Sequence, residues 1–249
     1  MQQQKQFRVL LIGDSCTDEY VYGTCDRLNP EAPVPILNFK RKETNKGMAW
    51  NVRENLMSFG MEVVILTNEE EITKTRYIDE RSNHHILRLD EEPIVKPMEY
   101  QLPEEHFDAL VISDYDKGFL TVRRICELVS EFDGPVFLDS KKTVLPSQGC
   151  FIKINEVEKE LLTGDYNNLI VTKGAGGADY DGVNYPAEKI KVYDVVGAGD
   201  TFLSALVYFH LFYGRIEEAI PYANKAASIA VQNFGTYVLT EEDVQDLRD

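Results

Sequence analysis

Apolar residues along the chain cluster in short, nearly continuous runs, separated by turn residues and by stretches with helical spacing. Residues 7–12 (FRVLLI), 62–66 (EVVIL), 108–113 (DALVIS), 135–139 (PVFLD), 150–155 (CFIKIN) and 169–172 (LIVT) are the runs of strands buried on both faces. Between them lie helical patterns. Residues 45–60 read as a glycine turn into an amphipathic helix with Val52, Leu56 and Phe59 on one face and Gly60 closing it. Residues 122–129, 156–162 and 215–231 are further helices, and Thr240 to Asp243 cap a last one. Strands alternating with helices predict an α/β domain around a mostly parallel sheet. Residues 20–23 and 34–40 read as short strands flanking a Pro-rich loop; 73–79 with 84–90, and 178–185 turning at Asp181-Gly182, read as hairpins.

Residues 191–204 (KVYDVVGAGDTFLS) predict a strand, a turn at Gly197-Ala198-Gly199, and a helix carrying Phe202, Ala205, Leu206, Phe209 and Phe212. Small residues at a helix N-terminus let backbone N–H groups converge on an anion. Asp200 falls in the first helical turn, beside that anion site. It reads either as a helix cap or as a base that takes a proton from a hydroxyl attacking a phosphoryl group.

Composition narrows the class. The 249 residues suit one large α/β domain, and the net charge of −16 disfavours a nucleic-acid partner, which needs clustered Lys and Arg. No apolar run reaches the roughly 20 residues of a membrane span, and the N-terminal MQQQKQF lacks an apolar signal core, so a cytoplasmic protein without a membrane partner is expected. Cys16, Cys25, Cys126 and Cys150 have no metal spacing and read as reduced packing residues. The adjacent His84 and His85 face opposite ways in a strand and read as structural.

DVVGAGDTF, residues 194–202, closely resembles the C-terminal signature D-T-x-G-A-G-D-x-F of the ribokinase-like (PfkB) carbohydrate kinases, with Val195 in the usual Thr position. The resemblance runs along the chain. It implies a single ribokinase-like domain over 1–249, with a central mostly parallel sheet flanked by helices and a small β-sheet lid from segments 19–42 and 73–91. RLNPEAPVP (27–35) and VISDYDKGFLT (111–121) resemble segments of the heptose-7-phosphate kinases within that family. After residue 66 the chain looks about one αβ unit shorter than such relatives, which makes a homodimer through the lid strands a plausible way to cover its open edges.

By the resemblance, Asp200 is the catalytic base, and the amides of Gly197, Ala198 and Gly199 form the anion hole. Thr172, Lys173, Gly174, Gly176, Asp194 and Asn224 fall at ATP-binding positions, and Asn155 and Glu158 supply N-x-x-E, which organises Mg²⁺ through water. The sugar side comprises Asp14, Asp18, Gly47, Asn51, Asp114, Lys117 and Lys141, with Arg76 and Arg88 on the lid as candidates for the sugar's phosphate. Met48 and Trp50 replace a glycine and an alanine of the family's first signature and alter the sugar pocket. The implied activity is ATP-dependent phosphorylation of a sugar hydroxyl, the anomeric hydroxyl of D-glycero-D-manno-heptose 7-phosphate in the nearest match. A kinase of another sugar, and a non-catalytic sugar- or nucleotide-binding protein, are the alternatives.

Overall fold

The computed structural model describes residues 6–99, 101–233 and 235–248. Its larger sheet contains β1 (Arg8–Gly13), β4 (Glu62–Thr67), β7 (Ala109–Asp114), β8 (Val136–Ser140), β9 (Phe151–Asn155), β10 (Leu169–Thr172), β11 (Ala178–Tyr180) and β12 (Val183–Tyr185). The order is β12-β11-β10-β9-β8-β7-β1-β4, parallel except where β11 and β12 turn back as a hairpin. A second sheet, β3-β2-β5-β6, joins β2 (Ser15–Leu28), β3 (Pro35–Met48), β5 (Thr73–Asp79) and β6 (His84–Glu91) as the lid.

Six helices flank the larger sheet: α1 (Ala49–Ser58), α2 (Val122–Glu131), α3 (Glu156–Leu161), α4 (Ala198–Tyr213), α5 (Ile216–Ala230) and α6 (Glu241–Arg248). Strand alternation splits the core between the two faces. Val9 and Leu11 of β1 join the layer containing α1, α4 and α5, whereas Leu10 and Ile12 join the layer containing α2. In α4, ten consecutive residues from Asp200 to Phe209 are buried, so this helix is covered all round rather than along one stripe.

Three expectations need correcting. The lid strands are not short pieces within 20–23 and 34–40: β2 and β3 span 14 residues each and absorb residues 45–48, which read as a turn. Their polar residues sit in strands because β3 is an edge whose ladder to β2 supplies the backbone partners that the pattern alone does not reveal. Residues 191–196 form no strand. The Tyr193 and Asp194 amides bond instead to the Val231 carbonyl (2.8 and 3.3 Å) at the end of α5. Only Cys16 and Cys150 are buried packing residues; Cys25 is half-buried and Cys126 exposed. Five residues separate β4 from β5, and β4 ends the larger sheet, as the short sequence there implied.

Candidate active site

The carboxyl ends of β1, β7, β8, β9 and β10 converge on the N-terminus of α4. Gly197 adopts the left-handed conformation (φ 77°) that starts this helix. A Cβ at 197 would lie 2.9 Å from Asn51 Nδ2, and one at 199 would lie 2.8 Å from Lys153 Nζ, so both glycines are pressed by site side chains. The Ala198 N–H bonds to the Val195 carbonyl (3.3 Å) and that of Asp200 to Gly197 (3.0 Å). Of the three amides expected to form an anion hole, that of Ala198 is taken, and those of Gly197 and Gly199 have no acceptor among the described residues.

Asp200 is buried at the head of α4, with both oxygens held. Asn51 Nδ2 of α1 donates to Oδ2 (2.7 Å), and the Tyr115 hydroxyl, just past β7, donates to Oδ1 (2.9 Å). Burial raises its pKa, and the Asn51 and Tyr115 donors and the Lys153 ammonium oppose the rise. Behind the glycine turn, Lys153 Nζ pairs with Asp139 Oδ2 (2.5 Å); Asp139 also faces Lys141, which reaches Glu158 Oε1 (2.5 Å). Burial pushes the Asp139 carboxyl up, but Lys153 and Lys141 outweigh it and leave it below the usual carboxylate range.

Asp14 lies under the lid, fully buried. Its Oδ2 accepts the Tyr115 and Lys117 amides (2.7 and 3.3 Å), while its Oδ1 has no partner among the described residues, an acceptor suited to a ligand hydroxyl. Asp18 on β2 is ion-paired with Arg76 on β5. Gly47 is required beside them, since a Cβ there would sit 2.1 Å from Asp18 Oδ2.

The remaining sugar-side candidates are engaged within the protein. Arg88 pairs with Asp90 on the exposed β6, and the Lys117 ammonium with Glu92. Asp114 accepts Ser140 Oγ (2.5 Å) and the Asp116 amide (3.2 Å) and faces Lys142; burial pushes it up to about 6. It braces the loop from below.

On the other side of Gly199 opens a cavity of about 330 Å³, walled by Thr172, Gly174, Gly177, Val195, Phe202 and Asn224 among others. Its size and mostly apolar wall suit a flat heteroaromatic ligand. Lys173 is ion-paired with Asp179, Gly176 lies in the 3₁₀ turn 174–176, and Asn224 Nδ2 bonds to the Tyr185 carbonyl (2.8 Å). Asp194 staples the approach, accepting the Val196 and Gly235 amides (3.1 and 2.9 Å). Asn155 and Glu158 cap α3 reciprocally: Oδ1 takes the Glu158 amide (2.8 Å) and Oε2 the Asn155 amide (2.9 Å). Glu158 Oε1 is taken by Lys141, so the oxygens of this pair that would face a water-bearing Mg²⁺ ion are engaged within the protein; among the described residues no group of three or more His, Cys, Asp or Glu gathers to hold a metal.

Sequence reasoning missed Tyr115, Asp139 and Lys153. A lysine inside the apolar run FIKIN was the available signal, because a buried lysine persists only when paired.

Comparison with known proteins agrees with this geometry. Residues 151–243 match the pfkB family carbohydrate kinase model. The chain is 29% identical over 299 positions to the bifunctional protein HldE of Nitratiruptor sp., covering 96% of this chain and 64% of that protein. It is 30% identical over 302 positions to the bifunctional protein HldE of Vibrio parahaemolyticus, covering 96% and 63%. The chain thus spans under two thirds of the length of these curated relatives. The fold is ribokinase-like. Ribokinase from Thermotoga maritima superposes with a TM-score of 0.72 at 15% identity, covering 97% of this chain and 99% of that one. Arabidopsis thaliana ribokinase complexed with ribose and ATP gives 0.71 at 16% identity, covering 98% and 99%. No described helix is long and apolar enough to cross a membrane.

Proposed function

We propose that this protein is an ATP-dependent carbohydrate kinase that phosphorylates a sugar hydroxyl, and that its substrate is a heptose 7-phosphate taken at the anomeric position. The observation that carries the reading is the buried Asp200 carboxylate beside the Gly197 and Gly199 amides, at the boundary between the nucleotide-sized cavity and the space under the lid where Asp14 presents an unpartnered oxygen. Asp200 accepts the proton of the sugar hydroxyl as its oxygen bonds to ATP's terminal phosphorus and the bond to the ADP oxygen breaks. The two amides and the adjoining Lys153 ammonium stabilise charge on the transferring group. Asn155 and Glu158 would hold Mg²⁺ through water, where it neutralises the nucleotide's phosphate oxygens.

The heptose assignment draws on the segments 27–35 and 111–121 and on the HldE relatives. Asp14 and Asp18 would take sugar hydroxyls, with Arg76 turning from Asp18 to the distal phosphate. A homodimer through the lid is part of the same proposal, since β3 and β6 are open edges carrying exposed Phe39, Leu87 and Leu89.

One feature favours a different sugar. Met48, at the start of α1, is buried in a backbone conformation (φ 57°, ψ −126°) that suits glycine, so a strained side chain is retained next to the pocket. ADP release across a panel of sugar phosphates and free sugars decides between the two. Turnover is expected with heptose 7-phosphate and is expected to fall about 10³-fold in Asp200→Asn, the scale of general-base effects. Near-wild-type turnover in that variant would remove the base assignment.

A further inference from the structure

We infer that Tyr115 is a positioning residue for the base: its hydroxyl, donated to Asp200 Oδ1, fixes the carboxylate against the glycine turn and keeps it the proton acceptor in a site that excludes water. The inference rests on the base role of Asp200 and adds a second residue to it.

The argument starts from what burial does to a carboxylate. Removal from water shifts Asp200 toward its protonated form, in which a carboxyl cannot act as a base. Donors aimed at the ionised form oppose that shift, and two reach it, one to each oxygen. Asn51 Nδ2 comes from α1 and the Tyr115 hydroxyl from the turn after β7. Each carboxylate oxygen has two acceptor directions, so a hydroxyl arriving from the lid side finds one unused while both donors stay in place. Two anchors from separate elements also fix the carboxylate plane.

The charged groups around the pair favour this division of labour. Lys153 from β9 is on the stabilising side for the Asp200 anion, and Asp139 from β8 repels it. Those two pair with each other at 2.5 Å, which leaves the neutral donors as the groups that oppose the effect of burial. Tyr115 itself stays a donor, because burial, then Asp200 and Asp139, hold its phenol well above the ordinary value; Cys16 on β2 acts in the same sense. Lys141 lies over the Tyr115 ring at 5.6 Å, a cation against the face of the ring whose hydroxyl reaches Asp200. Asp14 Oδ2, which accepts the Tyr115 amide, fixes the backbone from the sugar side.

The test is the pH profile of kcat in wild type and Tyr115→Phe. The variant keeps the ring, so its melting temperature and its affinity for a non-hydrolysable ATP analogue are expected to match wild type. Its acid limb is expected to move to higher pH by about one unit, the two profiles meeting at alkaline pH. Site-specific 3-fluorotyrosine at position 115, a stronger donor in an unchanged fold, is expected to move the limb the other way. Superimposable profiles, or a loss of equal size at every pH, would overturn the positioning role. A normal rate in Asp200→Asn is a separate failure, one of the base itself.

Discussion

Lys153 has no surface role to fall back on: it is buried, it pairs with Asp139, and its ammonium abuts the Cα of Gly199. Lys153→Met is expected to lower kcat by about 10²-fold, the scale of losing one preorganised group at a developing charge. Because it strands Asp139, the double variant with Asp139→Asn is the fair comparison; nucleotide affinity close to wild type in that protein separates lost catalysis from lost structure. Asp114 offers a test of sign. Burial lifts its pKa from 3.8 to about 6, so its protonated form supports the fold below about pH 4, and that support is lost as pH rises through about 6. Asp114→Asn is expected to gain stability relative to wild type over that interval, by an amount on the order of 2 kcal/mol, read from urea midpoints at several pH values. Asp200 and Asp14 stand out in the sequence beside a glycine turn and a strand end, while Asn51 and the sugar role of Asp14 come from the resemblance to the family signatures. Tyr115, Asp139 and Lys153 were not, because sheet register assembles them: Ser113 lies beside Asp139, and Asp139 beside Lys153, across three parallel strands distant in sequence.

Among the elements, the lid is where sequence patterning carried least. The parallel strands announce themselves by apolar runs, but β2, β3 and β6 are half or wholly solvated, so their composition looks like loop. Residues 191–196 show the converse: a β-branched run whose amides bond to the end of α5 stays irregular and mostly exposed. The lid's outward Phe39 and Leu87 lead to a concentration-dependent expectation. Sedimentation of wild type should report a dimer, and Phe39→Asp with Leu87→Asp should shift it to monomer without altering the melting of the larger sheet. A wild-type monomer at all concentrations would end the lid-dimer proposal.

At the scale of the molecule, one of the two hydrophobic layers and the proposed reaction centre share α4. The helix contributes Phe202, Leu203, Leu206 and Phe209 to the core and Asp200 to chemistry. The amides of residues 201–206 should therefore exchange with deuterium only through global opening, while those of β6 exchange orders of magnitude sooner. Heat inactivation then has a definite form. The carboxylate proposed as the base cannot work loose by fraying while the rest of the protein stands, so irreversible loss of turnover should trace the same curve as the calorimetric transition, with no early phase in which folded but silent molecules accumulate.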